Sequence, residues 1–182
     1  MKIQLIIFLV LGLAPFILTA QYNPKALEKV EETIVAFKEK NSKFEIYFAD
    51  AYGYTVFPAI GKGAWVLGAA RGGGTAFELG EPTGKAIITQ FTIGLQFGGQ
   101  CYRQVIFFEK EEDFLRFKEN KFEFAAQTSA LAVKLGAAAN LSYRDGVAVF
   151  SITKAGFMYE ASLGGQKLKF KPYKLTKQVA EI

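Results

Sequence analysis

The chain contains no histidine and only one cysteine, Cys101. Without histidine there is no Ser-His-Asp triad, no His-rich zinc site and no use of the commonest general base. One cysteine cannot form a redox pair or a disulfide framework. Tryptophan is also scarce, with Trp65 alone, and proline occurs only five times, so no Pro-rich linker divides the chain. Apolar residues are plentiful: 51% of the 182 residues are hydrophobic and 15% aromatic, enough for one full core and incompatible with a disordered chain.

The remaining chemistry-bearing residues do not assemble into a catalytic pattern. Glu109, Glu111, Glu112 and Asp113 cluster where a short helix should begin, a position acids favour because they complement the helix dipole. No pair of carboxylates stands out for glycoside hydrolysis. Gly80-Glu81-Pro82-Thr83-Gly84-Lys85 has too few residues between its glycines for a phosphate loop and lacks the hydroxyl residue after lysine. These features exclude the familiar enzyme classes and predict a non-enzymatic binding module with no cofactor and no metal.

Lys2 precedes an apolar run, Ile3 to Leu18, that closes on Thr19-Ala20. This order predicts a signal peptide over residues 1–20, cleaved between Ala20 and Gln21, with an uncleaved anchor as the alternative. The expected location is then periplasmic or extracellular, and residues 21–182 form a single domain. Residues 21–160 hold 16 basic and 16 acidic side chains, whereas 161–182 hold five lysines against Glu181. Attraction to a polyanion or an anionic membrane should therefore centre on the C-terminal segment.

Leu27, Val30, Ile34 and Phe37 recur at helical spacing and predict an amphipathic helix over Pro24–Lys40 with Pro24 at its first position. A second short helix is expected from Lys43 to Ala51 and a third over Glu111 to Lys121. From Gly53 the period becomes two. Ile87, Thr89, Phe91, Ile93, Leu95 and Phe97 alternate with smaller or polar residues, Gly98-Gly99 should turn the chain into a second strand from Gln100 to Phe108, and Ala125–Asn140, whose alanines favour helix while Ser129, Leu131, Val133 and Leu135 alternate, is read as strand with helix as the alternative. Tyr143–Ile152, Phe157–Gly164 and Lys167–Tyr173 complete the series. The predicted fold is α+β, with seven or eight strands in a curved or closed, barrel-like antiparallel sheet and two or three flanking helices.

One unit occurs twice. Gly53-Tyr54-Thr55-Val56-Phe57 leads through Lys62-Gly63 to Gly72-Gly73-Gly74, and Gly146-Val147-Ala148-Val149-Phe150 leads through Lys154-Ala155-Gly156 to Gly164-Gly165-Gln166. Each copy reads as a strand, a basic turn and a second strand, a pseudo-repeat of hairpins that must pack together to bury their apolar faces. Gly61-Lys62-Gly63 and Arg71-Gly72-Gly73-Gly74 are read as tight turns able to present amides and cations to an anion. In Lys167 to Lys174, lysines alternate with apolar residues. This pattern suits an edge strand guarded against aggregation and equally a basic surface for lipid headgroups. Gly63-Ala64-Trp65 matches a short lipocalin signature, but the helix expected after the central strands disagrees with that fold.

Gly53-Tyr-Thr-Val-Phe-Pro58, Gly61-Lys-Gly63, Arg71-Gly-Gly-Gly74, Gln96-Phe-Gly-Gly-Gln100, Phe107-Phe108-Glu109, Lys121-Phe-Glu-Phe-Ala125, Gly146 to Phe150 and Gly164-Gly165-Gln166 together resemble the SYLF domain family over residues 25 to 173. The resemblance implies a lipid-binding module. Eukaryotic members bind phosphoinositides, with the contact associated with a basic N-terminal helix that corresponds here to Pro24–Lys40, and fungal members bind and bundle actin. This chain departs from that pattern in its expected signal peptide and lack of a partner domain, and both departures count against actin binding and against phosphoinositide specificity.

The expected partner is a lipid or membrane surface, with anionic headgroups favoured and no nucleic acid. Headgroup contacts are expected at Lys167, Lys169, Lys171 and Lys174, and next at the basic turns Lys62, Arg71 and Lys154. The alternative is a carrier holding an acyl chain inside a Phe-rich barrel; an outer-membrane barrel is disfavoured by the charged helices.

Overall fold

In the computed structural model, which describes residues 24–121, 123–125 and 143–173, three helices flank one antiparallel sheet. Helix α1 spans Pro24–Lys40 and α2 Lys43–Asp50, as the helical spacing predicts; α3 spans Glu111–Lys118. The strands are β1 Gly53–Ala64, β2 Leu67–Glu78, β3 Glu81–Phe108, β4 Glu123–Ala125 and β5 Val147–Pro172. The leader, residues 1–20, and most of the strand expected over 125–140 lie outside the described residues.

The described sheet has five strands rather than seven or eight. The difference arises at glycines that were expected to reverse the chain. Gly98 has φ of 121°, yet β3 runs through Gly98-Gly99 and stays paired with β5 from Gly84 to Phe108. Gly164-Gly165 likewise continues β5. A glycine frees the backbone to bend sharply, but continuous pairing with a neighbouring strand holds it extended.

These long strands give the sheet its shape. β1 and β2 form a hairpin, and β3 pairs with both: its first half lies beside β2, with Ile93 opposite Leu67, and its second half beside β1, with Gly98 opposite Ala64. β3 must therefore cross the tip of the β1–β2 hairpin between Ile93 and Gly98. β5 follows β3 on its outer side throughout, and β4 pairs outside β5. Among the described residues no pairing joins the outer edges, so the sheet is not a closed barrel.

Both repeat units are recast by this arrangement. The first is a hairpin, but its reversal falls at Trp65-Val66-Leu67 and not at Lys62-Gly63, which lies inside β1. The second is no hairpin. Cys101 pairs with Ala155 and Tyr102 with Thr153, so Lys154 is the extra residue of a β-bulge in a continuous strand.

Each sheet face has its own core. On one face, Val30 and Phe37 of α1 and Phe44 of α2 pack with Tyr54, Val56, Phe77, Val105, Phe107 and Phe150. On the other, Phe114 and Phe117 of α3 pack with Phe57, Ile60, Ile106, Phe108, Leu168 and Phe170. We call these the α1 face and the α3 face. Ring contacts knit them together, with Phe44 and Phe150 centroids 5.0 Å apart on the first and Phe108 and Phe117 5.2 Å apart on the second. The apolar stripe of α1 is thus occupied by core packing.

Candidate functional site

Helices α1 and α2 cover the α1 face only near the open end of the hairpin. Towards the tip, no helix among the described residues covers that face. Register locates the predicted cations on it. Lys167 pairs with Thr89, Thr89 with Arg71, Arg71 with Gly61 and Gly61 with Cys101, whose partner Ala155 adjoins the bulge at Lys154. Directly paired residues point to the same side of a sheet, and neighbouring strands lie about 4.8 Å apart. Lys167, Arg71 and the Lys154 bulge therefore stand on one line across the sheet, and all three residues are exposed. Lys169 and Lys171 extend the lysine row along β5, beside Ile87 and the exposed Lys85 of β3. Glu123 of β4 lies in register with Lys167, which has a partner.

Two sequence expectations need correction here. Lys62, Arg71 and Lys154 are not in basic turns; each sits within a strand. Lys62 is also only 6% exposed. It is in register with Ala70, which pairs with Gln90, which pairs with Gln166, and this line lies on the α3 face. The one-residue offset between Gly61 and Lys62 turns the lysine away from the surface that carries Arg71. Lys174 lies outside the described residues.

The α3 face around Lys62 is closed by side chains. The amide oxygen Oε1 of Gln90 accepts from the Tyr102 hydroxyl at 3.1 Å and from Nε2 of Gln166 at 3.0 Å. Gln104 Nε2 donates to Gln166 Oε1 at 3.2 Å, and the Ser151 hydroxyl donates to Gln104 Oε1 at 3.3 Å. A buried chain of this kind satisfies groups whose burial would otherwise be costly, and it holds four strand runs in register.

Gly61 on the basic line, Gly63 between that line and the tip, and Gly73 behind it leave this part of the face low. A side chain added at Gly61, Gly63 or Gly73 would meet nothing within 4 Å. Beyond the glycines lies an apolar rim: Phe91, Ile93, Leu67, Trp65 and Phe97 are all strongly exposed, with Trp65 at 73%. The Trp65 and Phe97 rings meet edge to face at 5.1 Å. Alternation makes Phe91 and Phe97 legible in the sequence as members of one face. Nothing local shows that this part of the face would be left uncovered.

Elsewhere, a recess of about 480 Å³ is lined by Glu109, Glu112, Asp113, Arg116 and Gly146. Arg116 pairs there with the buried Asp113, which accounts for the acid structurally. Burial and the nearby Tyr47, Glu109 and Asp50 raise the Tyr143 pKa above the ordinary phenol value. Among the described residues no group of three potential ligands is placed to hold a metal, and no helix is long and apolar enough to cross a membrane.

Residues 89–174 match the family model Ysc84, described as a Las17-binding protein actin regulator. The chain is also similar to Beta cell expansion factor A of Aeromonas veronii, 31% identical over 162 residues, an alignment covering 82% of this chain and 60% of that relative. No solved structure matches it.

Proposed function

This chain belongs to the SYLF (Ysc84) family, and on that premise we propose that it is a non-enzymatic module that binds anionic membrane surfaces through the part of its α1 face towards the hairpin tip. The observation that carries this reading is the exposed set Arg71, Lys85, Lys167, Lys169 and Lys171, together with Lys154 at the bulge, on or beside a stretch of sheet that no helix among the described residues covers. A lysine or arginine near an anionic leaflet contributes about 1 kcal/mol, so a cluster of this size suffices for measurable association at low salt. Export through residues 1–20 gives a periplasmic or extracellular location, and it makes lipid rather than actin the partner.

Two observations support surface binding over an enclosed acyl-chain carrier. The Phe-rich α3 face is packed against α3, and its polar end is closed by the Tyr102, Gln90, Gln166 and Gln104 chain. The α1 helix contributes its apolar stripe to the core, so headgroup contact falls to the sheet instead.

Co-sedimentation with vesicles of phosphatidylglycerol and of phosphatidylcholine tests the reading. Binding to the first that declines with salt is expected, and no binding to either would sink it. Native mass spectrometry of the purified protein should show no stoichiometric lipid; a retained acyl-chain ligand would favour the carrier.

A further inference from the structure

We propose that the Trp65-Val66-Leu67 tip of the β1–β2 hairpin, with Phe97, Ile93 and Phe91 beside it, is an insertion wedge that enters the acyl-chain boundary of an anionic bilayer. This rests on the membrane reading above and adds the part of the molecule that penetrates and the depth it reaches.

The rim is apolar where a hairpin reversal would ordinarily be polar. Trp65, Val66 and Leu67 are 73%, 52% and 70% exposed, and Phe91, Ile93 and Phe97 are 67%, 61% and 60% exposed. Register gathers them at one end, with Ile93 opposite Leu67 and Phe91 opposite Ala69, while Phe97 meets the Trp65 ring. A contiguous apolar surface of this kind marks an interaction site.

The turn itself is strained. Val66 has φ of 104°, a conformation that a β-branched residue adopts at a cost and that glycine or asparagine would relieve. It is held by the Trp65 N–H donating to the Leu67 carbonyl at 3.1 Å and the Gly94 N–H donating to the Val66 carbonyl at 3.0 Å, so the apolar side chains are fixed at the apex.

Charge selects the occupant. Leu67, Ala69 and Arg71 share a face of β2, which places Arg71 about 13 Å behind Leu67 along the strand. The headgroup region on each side of a bilayer is about 5–8 Å deep. A tip reaching about 5–8 Å into hydrocarbon thus leaves Arg71 and Lys167, which lie level across the sheet, within the headgroup layer, with Lys169 and Lys171 further out. Gly63, between tip and basic line, and Gly61, on that line, offer no side chain to obstruct the headgroups.

Trp65, the only tryptophan, reports directly on insertion. With phosphatidylglycerol vesicles its emission should shift to the blue, and lipids brominated near the top of the acyl chains should quench it. The Val66→Asn/Leu67→Asn variant should keep or raise the melting temperature, because Asn suits the positive φ at 66 and Leu67 is exposed. It should bind the same vesicles about tenfold more weakly. Full sedimentation with unquenched Trp65 would overturn the wedge and leave the surface reading standing. Loss of all vesicle binding would overturn both. A blue shift that depends on protein concentration without lipid would assign the tip to a second copy of the chain and overturn the wedge as well.

Discussion

Phe57 and Phe150 occupy equivalent places in the two copies of the repeated unit, yet they lie on opposite faces of the sheet. Phe57 packs in the core beneath α3, while Phe150 packs against Phe44 of α2. Both units run beside the same stretch of β3. Val56 and Phe150 both pair with Val105, and Phe57 and Ser151 both pair with Gln104. The copies are therefore offset by one residue, and a shift of one moves every side chain to the other face.

The glycines that open the two copies both lie against α3, and they should be the least replaceable. A Cβ at Gly53 would come within 2.5 Å of the Phe114 ring, and one at Gly146 would meet the Asp113 carboxylate at a φ of 77°. Gly53→Ala should cost about 1–3 kcal/mol through overpacking. Gly61→Ala, with open space above it, should be neutral or slightly stabilising. Urea denaturation of the two variants checks the contrast.

Gln166→Leu should destabilise by roughly 1–3 kcal/mol, because it strips a donor from Gln90 and an acceptor from Gln104 in a buried site. The midpoint of urea denaturation should fall. Vesicle affinity per folded molecule should not change, since the residue lies on the face away from the basic line.

Placing a negative charge between the tip and the basic line should separate binding from folding. Gly63→Asp projects into open space, so the melting temperature should move by no more than a few degrees. Its carboxylate would stand among the headgroup contacts, and affinity for phosphatidylglycerol vesicles should drop about fivefold or more. Unchanged affinity would place the lipid contact elsewhere.

Stability should fall in strong alkali. Tyr143, Tyr47 and Tyr54 are all raised from 10.0, with burial the largest cause in each. A phenol whose folded pKa exceeds its unfolded one binds its proton more tightly in the native state. Its contribution is complete below about pH 10 and declines as the unfolded chain ionises above that value. Phenolate absorbance should develop at higher pH in the native protein than in urea, and Tyr143→Phe should flatten the loss of stability.

Much of the local structure was legible in the sequence. Leu27, Val30, Ile34 and Phe37 mark α1, and the alternation of Lys167, Lys169 and Lys171 with Leu168 and Phe170 places lysines outward and the apolar pair inward, as found. These readings need only the period of a helix or a strand, which is set by the backbone of the segment itself.

Tertiary structure alone decided where strands end, which strands pair and what remains uncovered. Gly98-Gly99 could turn or continue, and β5 running alongside made it continue. Lys62 looked like a surface cation, and pairing with Ala70 turned it inward while Gly61 and Arg71 faced out. The line from Lys167 through Arg71 to the Lys154 bulge exists only through five successive residue pairings, most of them between residues far apart in the chain. Local periodicity determines which residues share a face of one strand. Long-range hydrogen bonding and helix coverage determine whether that face becomes core or surface, and no single segment of sequence carries that information.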